Sequence, residues 1–249
     1  MINFPYQTTY ILVNFFTVIV CFIFSFHPKI RFSEHFKAFI KASLLVAIPF
    51  ILWDVWFTAN GVWWFDEQYT LGISILNLPI EECLFFICIP FSCLFTYYTL
   101  DKFFRWEWTN RFNQIFIVTY AALMLYISIR YHHQIYTFVT ATLSLVTMVL
   151  FYLFLKPNWV FKAFLIYLIL MLGFFPVNGI LTGSGLPSPV VNYNTDEIFN
   201  IRLWTIPIED TAYGFLLILW NLWWFQYFDR DTEISKVINI IEYKSNTSS

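Results

Sequence analysis

Two pairs of neighbouring carboxylates are the residues of this 249-residue chain best suited to chemistry. They are Glu81–Glu82 and Glu209–Asp210, and each pair closes a Pro-Ile-Glu-Glu or Pro-Ile-Glu-Asp string that opens a long apolar run. An ionisable group at membrane depth costs about 2.5–3.5 kcal/mol to insert, so such groups are usually functional. The four acids are therefore candidate catalytic residues, as proton donors and acceptors.

A second string, Phe-x-x-Asn-Gly, precedes each acid pair, so the two halves of the chain share one pattern. It contains Asn60 and Gly61 in the first half and Asn178 and Gly179 in the second. The Asn residues are 118 positions apart (178 − 60), and the acid strings are 128 apart (207 − 79). The second half thus has ten extra loop residues (128 − 118), and the Gly and Pro of 183–189 indicate where they lie.

An ordinary helix start is the alternative explanation of each acid string. Pro is favoured at the first helical position, and acids in the first turn complement the helix dipole. Two copies in register with two Asn-Gly pairs favour a functional site. Neighbouring helix positions point about 100° apart, so one acid of each pair is expected to face the bundle interior. The Asn-Gly pairs themselves fit helix C-caps as well as site residues.

The composition indicates an integral membrane protein. The chain is 59% hydrophobic and 12% charged, whereas a soluble domain carries about 25% charged residues. No basic tract supports nucleic-acid binding, and the four cysteines lack metal-ligand spacing. The sequence predicts an all-α bundle of about seven transmembrane helices, each near the roughly 20 residues that a span needs. The segments are 6–26, 38–58, 79–100, 112–129, 135–155, 160–181 and 206–228.

The orientation and the domain plan follow from this helix count. All but two of the 14 Lys and Arg, the exceptions being Arg130 and Arg202, fall on one side, which predicts an outside N-terminus and a cytoplasmic C-terminus. Helices 1–3 and 5–7 are expected to be parallel repeats about an axis along the membrane normal, with both acid pairs near the outer end. The predicted divisions are a first repeat 1–105, a linker helix 106–130, a second repeat 131–230 and a frayed polar tail 231–249.

Other polar and aromatic side chains are candidates to bind or support a substrate. An acid within a helix needs a polar partner or a wet cavity, and aromatic faces stabilise cations. Arg202 pairs with an acid or anchors in headgroups. The supporting set is Asp54, Asn60, Asn178, Thr182, Arg202, Trp53 and Trp204. Interfacial belts are the expected place of Trp63, Trp64, Trp106, Trp108, Trp223 and Trp224.

The duplicated strings resemble the paired motifs of the lycopene cyclase domain family. That family includes heterodimeric carotenoid cyclases of Gram-positive bacteria, fused tandem forms, and the cyclase part of fungal bifunctional enzymes. The chain resembles the fused tandem form over nearly its whole length. The family is distantly similar to the UbiA prenyltransferases, whose Asp-rich magnesium motifs are missing from this sequence. Besides the acid strings, the matching positions are Asp54, Thr58, Gly61-Val62-Trp63, Asn178 and Leu181-Thr182.

The resemblance implies a lycopene β-cyclase of a bacterial-type membrane that acts on a lipid-soluble carotenoid without a cofactor. The sequence also lacks the G-x-G-x-x-G spacing of flavin-dependent cyclases. A carboxylic acid protonates a terminal double bond, the neighbouring double bond closes the ring, and a carboxylate removes a proton. Glu82 and Glu209 are expected to be the most sensitive acids, with Asp210 next. Association with other carotenoid-pathway enzymes is a further expectation. A proton-coupled transporter and a non-catalytic carotenoid-binding subunit are the alternatives.

Overall fold

Seven α-helices make up most of the computed structural model, which describes residues 6–105 and 110–247. Their bounds are α1 Thr9–Ser25, α2 Phe36–Ala59, α3 Ile80–Phe103, α4 Asn110–Arg130, α5 Ile135–Leu150, α6 Val160–Leu181 and α7 Glu209–Thr247. Single turns extend α1 and α2 at their starts, and a π-helical turn over Phe151–Leu155 extends α5. Trp106 and Trp108, which the sequence assigns to an interfacial belt, lie outside the described residues.

Six of these helical segments are long and apolar enough to cross a membrane. They are Tyr6–Ser25, Phe32–Ala59, Ile80–Phe103, Asn110–Arg130, Ile135–Leu155 and Val160–Leu181. Large apolar side chains remain exposed on their outer faces, as lipid contact requires. The prediction of an all-α, multi-span membrane bundle is confirmed.

The last helix differs from the sequence prediction at its C-terminal end. α7 is 39 residues long and continues to Thr247, so the tail expected to be frayed is helical instead. After Gly214 the chain has neither Gly nor Pro, which leaves nothing to interrupt the helix.

Two helices form the centre of the bundle, one from each half of the chain. α3 packs against α1, α2, α6 and α7, and α7 packs against α5, α6, α2 and α3. These two sets of neighbours correspond when α1, α2 and α3 are matched with α5, α6 and α7. α4 packs against α5 and α6. The contacts of α1–α3 therefore correspond, helix for helix, to those of α5–α7.

A pair of short strands joins the two halves of the chain at the end of the bundle that carries the acids. β1 (Trp63–Phe65) pairs antiparallel with β4 (Val191–Tyr193), and Trp64 lies opposite Asn192 at the centre. These two residues are 128 apart (192 − 64), which is the spacing of the acid strings. The flanking bonds are also equivalent: Asp66 N donates to Val190 O, and Asn194 N donates to Val62 O, both at 2.9 Å.

A two-residue hairpin precedes each acid pair. β2 (Ser74–Ile75) pairs with β3 (Leu78–Pro79), and β5 (Arg202–Leu203) pairs with β6 (Ile206–Pro207). The turn residues Leu76 and Trp204 have positive φ angles of 59° and 63°, as primed hairpin turns require. Asn77 Nδ2 donates to Val55 O at 2.9 Å, so the first hairpin tip reaches about 6 Å below the end of α2. α3, which follows this hairpin, therefore begins below the end of α2.

Accessibility to a thiol reagent tests the predicted orientation. Gln68 and Asp196 are both exposed at the acid end and occupy equivalent positions of the two repeats. In a background without the four native cysteines, Gln68→Cys and Asp196→Cys are expected to react with an impermeant maleimide on intact cells. Lys37→Cys, exposed at the opposite end, is expected to react only after permeabilisation. The reverse labelling pattern would place the acids on the cytoplasmic side.

Candidate active site

Three carboxyl groups converge on a cavity of about 580 Å³ below the paired strands β1 and β4. Asp54 comes from α2, Glu82 from α3 and Asp210 from α7. All three are buried, with exposed fractions of 1%, 8% and 5%. Aromatic side chains form the walls around them: Tyr10, Trp63, Phe65, Phe85, Tyr136, Tyr193 and Tyr213. The cavity therefore combines acids with an otherwise apolar, aromatic lining.

The first half of the chain brings two carboxyl groups together. Asp54 and Glu82 both line the cavity. The Tyr10 hydroxyl donates to Glu82 Oε2, and the Trp63 indole N–H donates to Asp54 Oδ1. Two carboxylates in one apolar cavity repel each other, which favours a proton on one of them. This pair is thus suited to hold a proton in the cavity.

The second half surrounds its acid with donors instead. Tyr136 Oη donates to Asp210 Oδ1 at 2.7 Å, and Tyr193 Oη donates to Asp210 Oδ2 at 3.0 Å. Burial and the neighbouring Asp210 raise the pKa of Tyr193 well above its usual value, so this hydroxyl keeps its proton. The Arg202 guanidinium lies 5.8 Å from the centre of the Tyr193 ring and adds positive charge nearby. Two hydroxyl donors and a cation offset part of the cost of burying a charged Asp210.

Glu81 and Glu209 face away from this cavity and bind backbone amides. Leu71 N donates to Glu81 Oε1 at 2.6 Å, and Phe199 N makes the same bond to Glu209 Oε1. Leu71 and Phe199 are again 128 residues apart (199 − 71). Thr137 Oγ1 also donates to Glu209 Oε1, at 2.6 Å. One acid of each pair thus faces the cavity, while the other accepts a backbone hydrogen bond from the loop that leads into the hairpin.

Some of the supporting residues predicted from the sequence line the cavity, and the others lie away from it. Asn178 and Thr182 line the cavity. Trp53 lines a separate pocket, and Asn60 and Trp204 are exposed. Arg202 is also exposed and reaches the site only through the face of the Tyr193 ring.

The two Asn-Gly pairs differ in which alternative the structure supports. In the first half the pair forms a helix C-cap, since Asn60 ends α2 and Gly61 has a φ of 67°. In the second half it does not, because α6 continues past Asn178 to Leu181 and Thr182 is its C-cap. Asn178 O still accepts from Thr182 N at 2.8 Å. This extra helical turn brings Asn178 to the cavity wall.

Tyr10, Tyr136 and Tyr193 are site residues that the sequence does not predict. Trp63, one of the positions that resemble the family, lies in the cavity wall and not in an interfacial belt, since it is only 6% exposed and its indole donates to Asp54. The repeat contains a signal for two of the tyrosines. Tyr10 and Tyr136 are 126 apart (136 − 10), close to the spacing of the acids to which they donate.

The comparison with protein families agrees with the duplicated architecture. The lycopene cyclase family model matches residues 7–100 and 133–228, which together make up well over half of the chain. No curated protein and no solved structure gives a significant match. Each matched segment contains one three-helix repeat and one acid pair. This membrane-embedded chain therefore belongs to the lycopene cyclase family and is a carotenoid cyclase.

Proposed function

We propose that the protein converts the acyclic ends of lycopene into β-rings without net oxidation or reduction. The observation that carries this proposal is the unequal pair of acid environments in one apolar cavity. Asp54 and Glu82 place two carboxyl groups in the cavity, whereas Asp210 accepts hydrogen bonds from two tyrosines. A proton donor and a proton acceptor thus face the same space, as an acid-initiated isomerisation requires.

The first step is transfer of a proton from the Asp54–Glu82 pair to the terminal double bond. The proton adds to one alkene carbon and leaves a tertiary carbocation on the other. The neighbouring double bond then attacks this cation, forming the carbon–carbon bond that closes the six-membered ring. Aromatic rings around the site, among them Tyr213 and Trp63, stabilise the positive charge through their π faces.

The last step is loss of a proton from the ring carbon next to the new cation. Asp210 is the base in this scheme, since its two hydroxyl donors and the Arg202 charge offset part of the cost of a buried carboxylate. The resulting double bond completes the β-ring, and the product is an isomer of the substrate. Return of the proton from Asp210 to the Asp54–Glu82 pair, across the cavity that all three line, restores the starting state.

Glu81 and Glu209 have a positioning role in this scheme. Each fixes the loop before its hairpin through a backbone amide, and each hairpin leads directly into the helix that carries Glu82 or Asp210. The sequence-based ranking of Glu209 above Asp210 is therefore reversed in this proposal. The transporter alternative is not supported, since the acids cluster at one end of a mostly apolar bundle.

Conversion of lycopene by nucleotide-free protein tests the proposal. Purified protein in lipid vesicles, stripped of flavin and nicotinamide, is expected to yield β-carotene or its one-ring precursor on chromatography. Vesicles with Glu82→Gln protein are the control for uncatalysed reaction. A strict requirement for reduced flavin would contradict the acid-initiated mechanism, and acyclic products alone would contradict the cyclase activity.

A further inference from the structure

The acid-lined cavity continues past the acids as a groove between α1 and α6. Thr17 and Cys21 of α1 and Ser92 and Thr96 of α3 line this part, which we call the α1–α6 groove. Thr96 is 14 residues after Glu82 on α3 (96 − 82), so the cavity extends roughly 21 Å along that helix. It has the elongated shape that an extended hydrocarbon chain needs.

The rim of this groove faces the lipid. Phe16 on α1 is 66% exposed and Leu172 on α6 is 79% exposed, and both also line the cavity. A side chain that borders the cavity and is exposed on the membrane-facing surface marks a lateral opening. A lipid-soluble molecule can therefore reach the acids without leaving the bilayer.

The repeat predicts an equivalent groove between α5 and α2, and a smaller pocket of about 310 Å³ lies there. We call it the α2–α5 groove. Trp220 and Trp224 of α7 line it, at the positions equivalent to Ser92 and Thr96 (220 − 92 and 224 − 96 are both 128). Trp220 Nε1 also donates to Thr147 Oγ1 on α5 at 3.1 Å. Two indoles therefore occupy the space that two small hydroxyl side chains leave open in the other groove.

A wall of aromatic rings separates the α2–α5 groove from the acids. Trp53 lines this groove, whereas Tyr213 lines the acid-containing cavity. Their ring centres are 4.8 Å apart, and Phe50 packs 5.3 Å from the same Tyr213 ring. Among the described residues that line the α2–α5 groove, none is acidic. The two halves thus have equivalent grooves, but one of them reaches the site and the other ends at a wall.

We propose, on the basis of the proposed cyclase function, that the α1–α6 groove is the substrate entrance and holds the polyene arm during ring closure. The α2–α5 groove takes no part, because its tryptophans narrow it and its aromatic wall separates it from the acids. Only one end of a long, symmetric carotenoid reaches the acids in each binding event. A molecule with two rings must therefore leave and return in the opposite direction, with a one-ring product released between the two events.

Equivalent substitutions in the two grooves test this assignment. Thr17 on α1 and Leu143 on α5 line the two grooves and are 126 apart (143 − 17), the spacing of Tyr10 and Tyr136. Thr17→Trp is expected to reduce the cyclisation rate at least tenfold by filling the α1–α6 groove. Leu143→Trp, at a position 40% exposed to lipid, is expected to stay within twofold of the wild type. The wild-type time course is expected to show free one-ring product before the two-ring product.

Equal losses in both variants, a larger loss in Leu143→Trp, or no loss in either would overturn the entrance assignment while leaving the cyclase function intact. Absence of cyclisation by the wild type would instead contradict the proposed function.

Photo-crosslinking decides the question independently of turnover and of the folding of Thr17→Trp. A benzophenone amino acid is placed at Phe16 in the open groove or at Val146 in the closed one. Only the first is expected to capture lycopene in vesicles, as read by mass spectrometry. Preferential capture at Val146, or equal capture at both, would reject the proposal.

Discussion

Glu82→Gln and Asp210→Asn are each expected to lose at least about two orders of magnitude in cyclisation rate. Each amide keeps the size of the acid and still accepts a hydrogen bond from its tyrosine, but it neither gives nor takes the proton. Rates are measured by chromatography of pigments from equal amounts of membrane-inserted protein. The effect is large because these two carboxyl groups face the cavity itself.

The neighbouring acids provide the matched controls. In Glu81→Gln and Glu209→Gln the amide oxygen still accepts from the backbone N–H of Leu71 or Phe199, so the loop stays fastened. These variants are expected to lose less than about tenfold, in keeping with one neutral hydrogen bond in place of a charged one. A larger loss at Glu81 than at Glu82 would exchange the roles assigned within the pair.

Asp54→Asn is expected to reduce the rate by roughly a hundredfold or more. The neutral amide removes a like charge from the cavity that Glu82 lines, which favours the Glu82 carboxylate, so Glu82 no longer keeps the proton that starts the reaction. Its amide oxygen still accepts from the Trp63 indole, which preserves the local fold. Turnover and the amount of folded protein in the membrane are measured side by side.

Asp66→Asn is the control for this change. Asp66 Oδ1 accepts from Gln68 N at 3.1 Å, and Asn194 Oδ1 makes the equivalent bond to Asp196 N in the second repeat, also at 3.1 Å. Asn therefore already occupies this position in one half of the protein. Near wild-type turnover in both variants would mean that Glu82 alone suffices as the acid.

The acid pairs and their duplication could be recognised from the sequence because two unusual strings recur at one spacing. In the structure, residues with this spacing occupy equivalent places. Trp64 and Asn192 pair with each other, and the amides of Leu71 and Phe199 each donate to the first acid of a pair. Which acid of each pair faces the cavity could not be predicted. Both lie in the first turn of a helix, and the choice depends on a loop amide whose position follows no sequence pattern.

The tyrosines of the site could not be predicted, because the chain has so many aromatic residues. Tyr10 and Tyr136 lie in apolar helices of a protein with 15 Tyr and 31 Phe, where an aromatic residue is typical of a lipid-facing surface as well. The difference between the α1–α6 groove and the α2–α5 groove could not be predicted either. It depends on Ser92 and Thr96 in one repeat and two tryptophans in the other, and these pairs are equivalent only once the helices are matched in space.

The strand pair β1–β4 has the geometry of an isologous contact, since each half offers the same surface to the other. Two identical subunits joined in this way would have to present every feature twice. A single chain is free of that constraint. The Asn-Gly spacing matches Asp54 with Leu172 (172 − 54 = 118), so the third carboxyl group exists in one half only. Covalent fusion thus permits the two halves to differ, as the proposed roles of proton donor and proton acceptor require.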